Sequence, residues 1–215
     1  GSSLLTWETV TASSFGSVRI LTNSIGQKDV KLDLPGFSVG LLNVRAVGST
    51  SPSSVASTAS FSTESGKLQT GGTNRAQTIF QFPAFSGKEP AAVFLKLKGT
   101  SAGAQPVPVH LYRWVAVTNE ATLKTGQFPF RKNEMPESEE PALSVVGLGK
   151  ELQWVGGFTV EPGTQETCVE ITQAVARAKG APLNLVLARD RRQAGEALEA
   201  DPVEWQGADL MVYPR

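Results

Sequence analysis

The chain of 215 residues carries 20 basic and 20 acidic side chains, one His and one Cys. The cancelled charge argues against a general nucleic-acid binder or a polybasic membrane anchor. A single Cys excludes an internal disulfide and, with a single His, a zinc site built mainly from those residue types; no apolar run approaches the ~18 residues of a membrane-spanning helix.

Gly1-Ser2 without an initiator Met reads as the remnant of a cleaved tag, which leaves room for a signal peptide on the natural chain. Short alternating stretches then dominate. Residues 15–22, 28–34 and 39–47 read as strands, punctuated by Gly26, Pro35-Gly36 and Gly48. Residues 48–58 are small and polar, the composition of a linker, and mark either a domain boundary or a long surface crossing. Further strands are expected at 77–83, 91–98, 107–115, 153–160, 166–171, 183–188 and 208–213. In 93–98 the alternation of Val93, Leu95 and Leu97 with Lys96 and Lys98 gives one buried face and one partly wet face. Residues 131–141 read as a charged, proline-bracketed loop. The one helix expected covers residues 172–179, with Thr172 as cap, Val175 and Ala178 facing inward, and Gly180 as the stop. So many strands with one short helix predict an all-β antiparallel β-sandwich.

A search for catalytic groups yields little. His110 alternates with Val109 and Leu111 on an expected strand, and reads as a surface or edge-strand histidine rather than a general base. Cys168, between Thr167 and Val169, reads as a packing residue. Two carboxylates suffice for glycoside hydrolysis, so acids alone never exclude it, yet Glu134, Glu137, Glu139 and Glu140 lie in the expected solvated loop. Glu196, Glu199, Asp201 and Glu204 offer oxygen ligands of the kind calcium takes, but their spacing matches no loop motif. No other cofactor is expected.

The tryptophans carry more. Each of Trp7, Trp114, Trp154 and Trp205 offers a flat apolar face for a sugar ring or for a core. Trp114 and Trp154 sit at strand ends and suit a core; Trp205 falls between expected strands, where loops present binding residues. Lys96 and Lys98, with Arg75 and Arg113 on neighbouring segments, form either a basic strip for an acidic glycan or ordinary solubilising residues on an open sheet face.

From about residue 58 onward the order of motifs resembles the DNRLRE-type jelly-roll domain, a family related to carbohydrate-binding modules of bacterial polysaccharide lyases and surface proteins. The resemblance rests on Ala59-Ser-Phe-Ser62, Asn74-Arg-Ala-Gln-Thr-Ile-Phe-Gln-Phe82, Ala92-Val-Phe-Leu-Lys-Leu97, His110-Leu-Tyr-Arg-Trp114, Cys168-Val-Glu-Ile-Thr-Gln-Ala-Val175 and Ala208-Asp-Leu-Met-Val-Tyr213. It implies a jelly-roll-like sandwich over 58–215, an extracellular or cell-surface setting and a glycan ligand, with residues 1–57 as strands added to the sandwich or a separate small β element. The expectation is therefore a non-catalytic binding module that meets a glycan through Arg75, Lys96, Lys98, Arg113 and Trp205. The alternative is a structural or protein-interaction domain of a larger assembly.

Overall fold

In the computed structural model the described residues are 2–11, 14–24, 39–47, 51–62, 66–72, 76–85, 87–115, 152–189 and 202–215; for the first three segments and Leu152 only the backbone course is given. Three strands, β1 (Ser2–Thr11), β2 (Ser14–Ser24) and β3 (Val39–Val47), form an antiparallel sheet of their own in the order β2-β1-β3. The strand expected at 28–34, the charged loop at 131–141 and the acids Glu134, Glu137, Glu139 and Glu140 lie outside the described residues.

The sandwich begins earlier than the composition suggested. Within the linker-like stretch, Ser53–Ala56 forms β4, an edge strand that pairs with the last strand of the chain, β13 (Val203–Tyr213). Small polar residues suit an exposed edge because the ladder needs only their backbone. Next come β5 (Ala59–Ser62), β6 (Gln69–Thr70), β7 (Thr78–Phe82), β8 (Ala92–Ser101), β9 (Val107–Trp114), β10 (Leu152–Val160), β11 (Glu166–Glu170), helix α1 (Thr172–Ala178) and β12 (Leu183–Arg189). They build two five-stranded antiparallel layers, β10-β9-β12-β7-β5 and β11-β8-β13-β4 with β6 added to β13.

Alternation places Phe80, Phe82, Val109, Leu111, Leu185 and Leu187 of one layer against Val93, Leu95, Leu97 and Leu210 of the other in one continuous core. Each such side chain contributes about 1.5–3 kcal/mol when fully buried. Helix α1 occupies the crossing from β11 to β12 and adds Ala174, Val175 and Ala178 to that core. Thr172 does not cap it. The N-cap position is Ile171, without a side-chain bond, while the Thr172 hydroxyl accepts from the Val93 backbone N–H at 3.0 Å and donates to Glu170 Oε1 at 3.0 Å. The hydroxyl thus ties the helix to β8. The stop falls where expected: Lys179 takes the left-handed conformation at φ 49° and Gly180 follows at φ 79°.

Candidate functional site

The facing of Trp154 and Trp205 is set by two irregularities in strand register. On β10, Phe158 and Val160 face the core, so unbroken alternation would send Trp154 inward as well. Between Trp154 and Gly156 the register slips by one residue, so that Trp154 lies opposite Tyr112 and Gly156 opposite Leu111. The extra residue, Val155, packs against the core, and Trp154 turns to the outer face, 37% exposed. On β13, Ala208 and Leu210 face the core, so alternation would send Trp205 outward. A slip between Trp205 and Gly207 reverses it: Trp205 lies opposite Gly99, points inward and is 5% exposed. The two tryptophans exchange the roles their spacing suggested.

Trp205 therefore offers no stacking face. It sits within a strand rather than between strands, edge-on to Phe158 at 6.4 Å between centroids. Its indole N–H donates to Thr70 Oγ1 at 2.8 Å, Thr70 donates to Thr78 Oγ1 at 3.2 Å, and Thr78 donates to the Gln69 carbonyl at 2.8 Å. Such a relay satisfies every hydroxyl it contains.

Trp154 is the exposed indole. Its N–H donates to His110 Nδ1 at 3.2 Å, and the His110 ring lies nearly parallel to Tyr112, 6.0 Å between centroids and 18° between planes. An accepting Nδ1 requires the tautomer that carries its proton on Nε2. His110 is only 4% exposed, on a strand interior to its sheet, which corrects its reading as a surface or edge-strand residue. The cause is that this sheet is buried on both faces: Ile79, Val186, Tyr112 and Ala188, all outward in the register, are as enclosed as the core. Val107 to Trp114 is apolar or aromatic on both alternating sets except at His110 and Arg113, a signal of two-sided burial present in the sequence. On the same outer face the next position along β10 is Gly157, which carries no side chain and lies opposite His110. Trp154 and Val115 are the large exposed apolar side chains among the described residues, and both lie at the same end of the β9–β10 ladder.

Of the other expected contacts, Lys96 and Lys98 do stand on the outer face of β8, as the alternation required. They are not a free basic strip. Lys96 bonds Glu166 at 2.8 Å and Lys98 approaches Asp209 at 3.4 Å, on the strands to either side. The hydrogen bond to Glu166 outweighs desolvation and raises the Lys96 pKa. The two lysines are thus matched by two carboxylates, and Glu170 on the same outward row as Glu166 adds a third acidic group to the face. Toward the other end this outer face is apolar, with Phe94 and Tyr213 edge-on at 5.8 Å. Arg113 is 6% exposed and inward in register, not part of any open strip. Arg75 lies outside the described residues, as do Glu196, Glu199 and Asp201, and of Trp7 only the backbone is described. Glu204 is held by Lys67 at 2.7 Å. Among the described residues no group of three or more His, Cys, Asp or Glu is placed to share a cation, and no helix is long and apolar enough to cross a membrane.

Cys168, opposite Lys96 in the ladder, is half-buried, and burial first, then the Glu166 charge, raises its thiol pKa. A raised thiol pKa means the folded chain keeps a proton that the unfolded chain sheds. Stability from this group is intact below the unfolded thiol's pKa and falls as pH rises through it. At pH 8 alkylation of Cys168 by iodoacetamide should run at least ~10-fold slower than that of the unfolded chain, and gain speed at higher pH. Equal rates at pH 8 would contradict this placement.

No protein-family model and no curated protein matches the chain.

Proposed function

We propose that the sandwich is a non-catalytic glycan-binding module whose platform is Trp154, with His110 holding its N–H and Tyr112 opposite it in the ladder. The observation that carries this reading is an indole, 37% exposed, whose N–H is already held by His110 Nδ1 at 3.2 Å. A ring fixed before the ligand arrives loses little rotational freedom on binding, and the C–H face of a sugar stacks on it. The next outward position along β10, Gly157 opposite His110, carries no side chain beside the indole. The motif order that resembles the DNRLRE-type domain points to the same ligand class.

The test is affinity electrophoresis and calorimetry of the full chain against neutral and acidic polysaccharides. Trp154→Ala should weaken binding by about tenfold or more, the scale of a lost aromatic platform. Lys96→Ala combined with Lys98→Ala should leave affinity for a neutral glycan unchanged. Binding to no polysaccharide, or binding indifferent to Trp154→Ala, would overturn the reading.

One observation favours a structural or protein-interaction domain instead. The lysines of the β8 face are spent on Glu166 and Asp209, which suits a face that is sealed rather than offered to a ligand. A hydrodynamic mass well above 22.8 kDa, with no sugar affinity, would support this second reading.

A further inference from the structure

The bond from the Trp154 indole N–H to His110 Nδ1 joins two rings that are held very differently. His110 stands on β9, inside its sheet, 4% exposed and nearly parallel to the Tyr112 ring. Trp154 stands on β10, the edge strand of that sheet, 37% exposed and beside the register slip. The bond therefore ties the looser ring to the firmer one. It also depends on protonation. A neutral imidazole with its proton on Nε2 accepts at Nδ1, whereas an imidazolium carries a proton on each nitrogen and accepts at neither. An indole nitrogen only donates, so against a protonated His110 it meets another N–H and the bond is lost. The described groups around the imidazole bring no charge of their own. They are Trp154 and Gly157 of β10, Ala188 of β12, and Pro108 and Tyr112 of β9 itself, of which Tyr112 alone titrates. Arg189 follows Ala188 but falls on the inward row, opposite Val109. Strand β2, which passes close to β10, has Arg19 as its one charged residue.

We propose that His110 is a pH-sensitive latch on the Trp154 platform. Neutral, it fixes the indole; protonated, it releases it, and glycan affinity falls as the pH drops through the titration of this one imidazole. The member that moves is Trp154, because His110 stays enclosed within its sheet and beside Tyr112 in either state, while the indole is the half of the pair open to solvent. A ring that the ligand itself must immobilise costs about two- to tenfold in affinity relative to one fixed beforehand. His110 acts here as a positioning residue, through Trp154. The inference rests on the glycan reading only for its last step, from a loosened platform to a weaker complex.

The experiment is an NMR titration of the full chain without ligand from pH 8 to pH 5, the interval in which an ordinary imidazole changes charge. The chain has one His, so its ring signals report this group alone, and Trp154→Phe identifies the Trp154 indole N–H among the four tryptophans. That indole signal should shift with the same midpoint as the His110 ring. Calorimetry with the neutral polysaccharide retained best in affinity electrophoresis, which does not itself titrate, should show affinity falling about two- to tenfold across the same midpoint. His110→Asn places an amide on Cγ, where its oxygen can accept without titrating, and should flatten the pH response. His110→Phe removes the acceptor and should bind weakly at every pH. If neither variant folds, the wild-type titration decides alone. An imidazole that stays neutral down to pH 5, an indole signal indifferent to its titration, or Trp154-dependent affinity that is equal on both sides of the midpoint would overturn the latch. Coupled titration in a chain that binds no polysaccharide would support the latch and overturn only the glycan reading.

Discussion

Trp205→Ala is expected to lower the unfolding free energy by about 3–5 kcal/mol, the range for removing a large buried aromatic side chain. Against a typical total of roughly 5–15 kcal/mol this is a large fraction, enough to leave a sizeable unfolded population. The ring is enclosed among core residues, meets Phe158 edge-on and anchors the relay through Thr70 and Thr78 to the Gln69 carbonyl. That relay holds β6 beside β13, where the Trp205 backbone N–H also donates to the Leu68 carbonyl at 2.7 Å. Trp205→Phe separates the contributions: it keeps an aromatic ring and removes the N–H, with an expected cost of about 1–2 kcal/mol. Guanidinium unfolding measures both. A cost under ~1 kcal/mol for the alanine variant would mean that Trp205 is not packed in the core. In that event the stacking role expected of it from the sequence would again be open.

Gly99→Ala is expected to destabilise by about 1–3 kcal/mol, although alanine is the smallest possible addition. Gly99 lies opposite Trp205 in the β8–β13 ladder, and a Cβ there would run into the indole ring and lie 2.7 Å from the Glu204 carbonyl oxygen. The ring alone could shift at some cost, but the carbonyl belongs to the backbone of a paired strand and cannot move without breaking register. In the double variant Gly99→Ala with Trp205→Leu, part of the damage should be relieved, giving a favourable coupling energy, while the carbonyl clash keeps the rescue incomplete. Full additivity of the two changes would show that the ring and Gly99 do not touch.

Much of the sandwich was legible from the chain. Val93, Leu95 and Leu97 against Lys96 and Lys98, or Leu183, Leu185 and Leu187, announce strands because a period of two is a local property that survives in any context. The helix stop at Lys179 and Gly180 was equally local. Ser53–Ala56 was misread because its residues resemble a linker, and it becomes a strand only through the backbone of β13. Thr172 matched the chemistry of a cap, yet its hydroxyl serves Val93, a residue 79 positions away, which no local rule reveals. His110 was misplaced because an isolated polar residue on a strand says nothing of what covers its face, although the aromatic residues around it gave a hint.

The amino-acid sequence by itself determined a two-layer, all-β body with one short helix and a lysine-bearing outer face, because alternation and turn chemistry are decided within a few residues. The tertiary structure alone decided which tryptophan meets solvent. A single extra residue, Val155 in one strand and the residue before Gly207 in another, reverses the facing of everything on its far side. Such a slip is a compromise between the pairing of distant strands and the volume of the core. It also decided that Lys96 and Lys98 meet Glu166 and Asp209, since charges on separate strands are brought together only when the sheet pairs them.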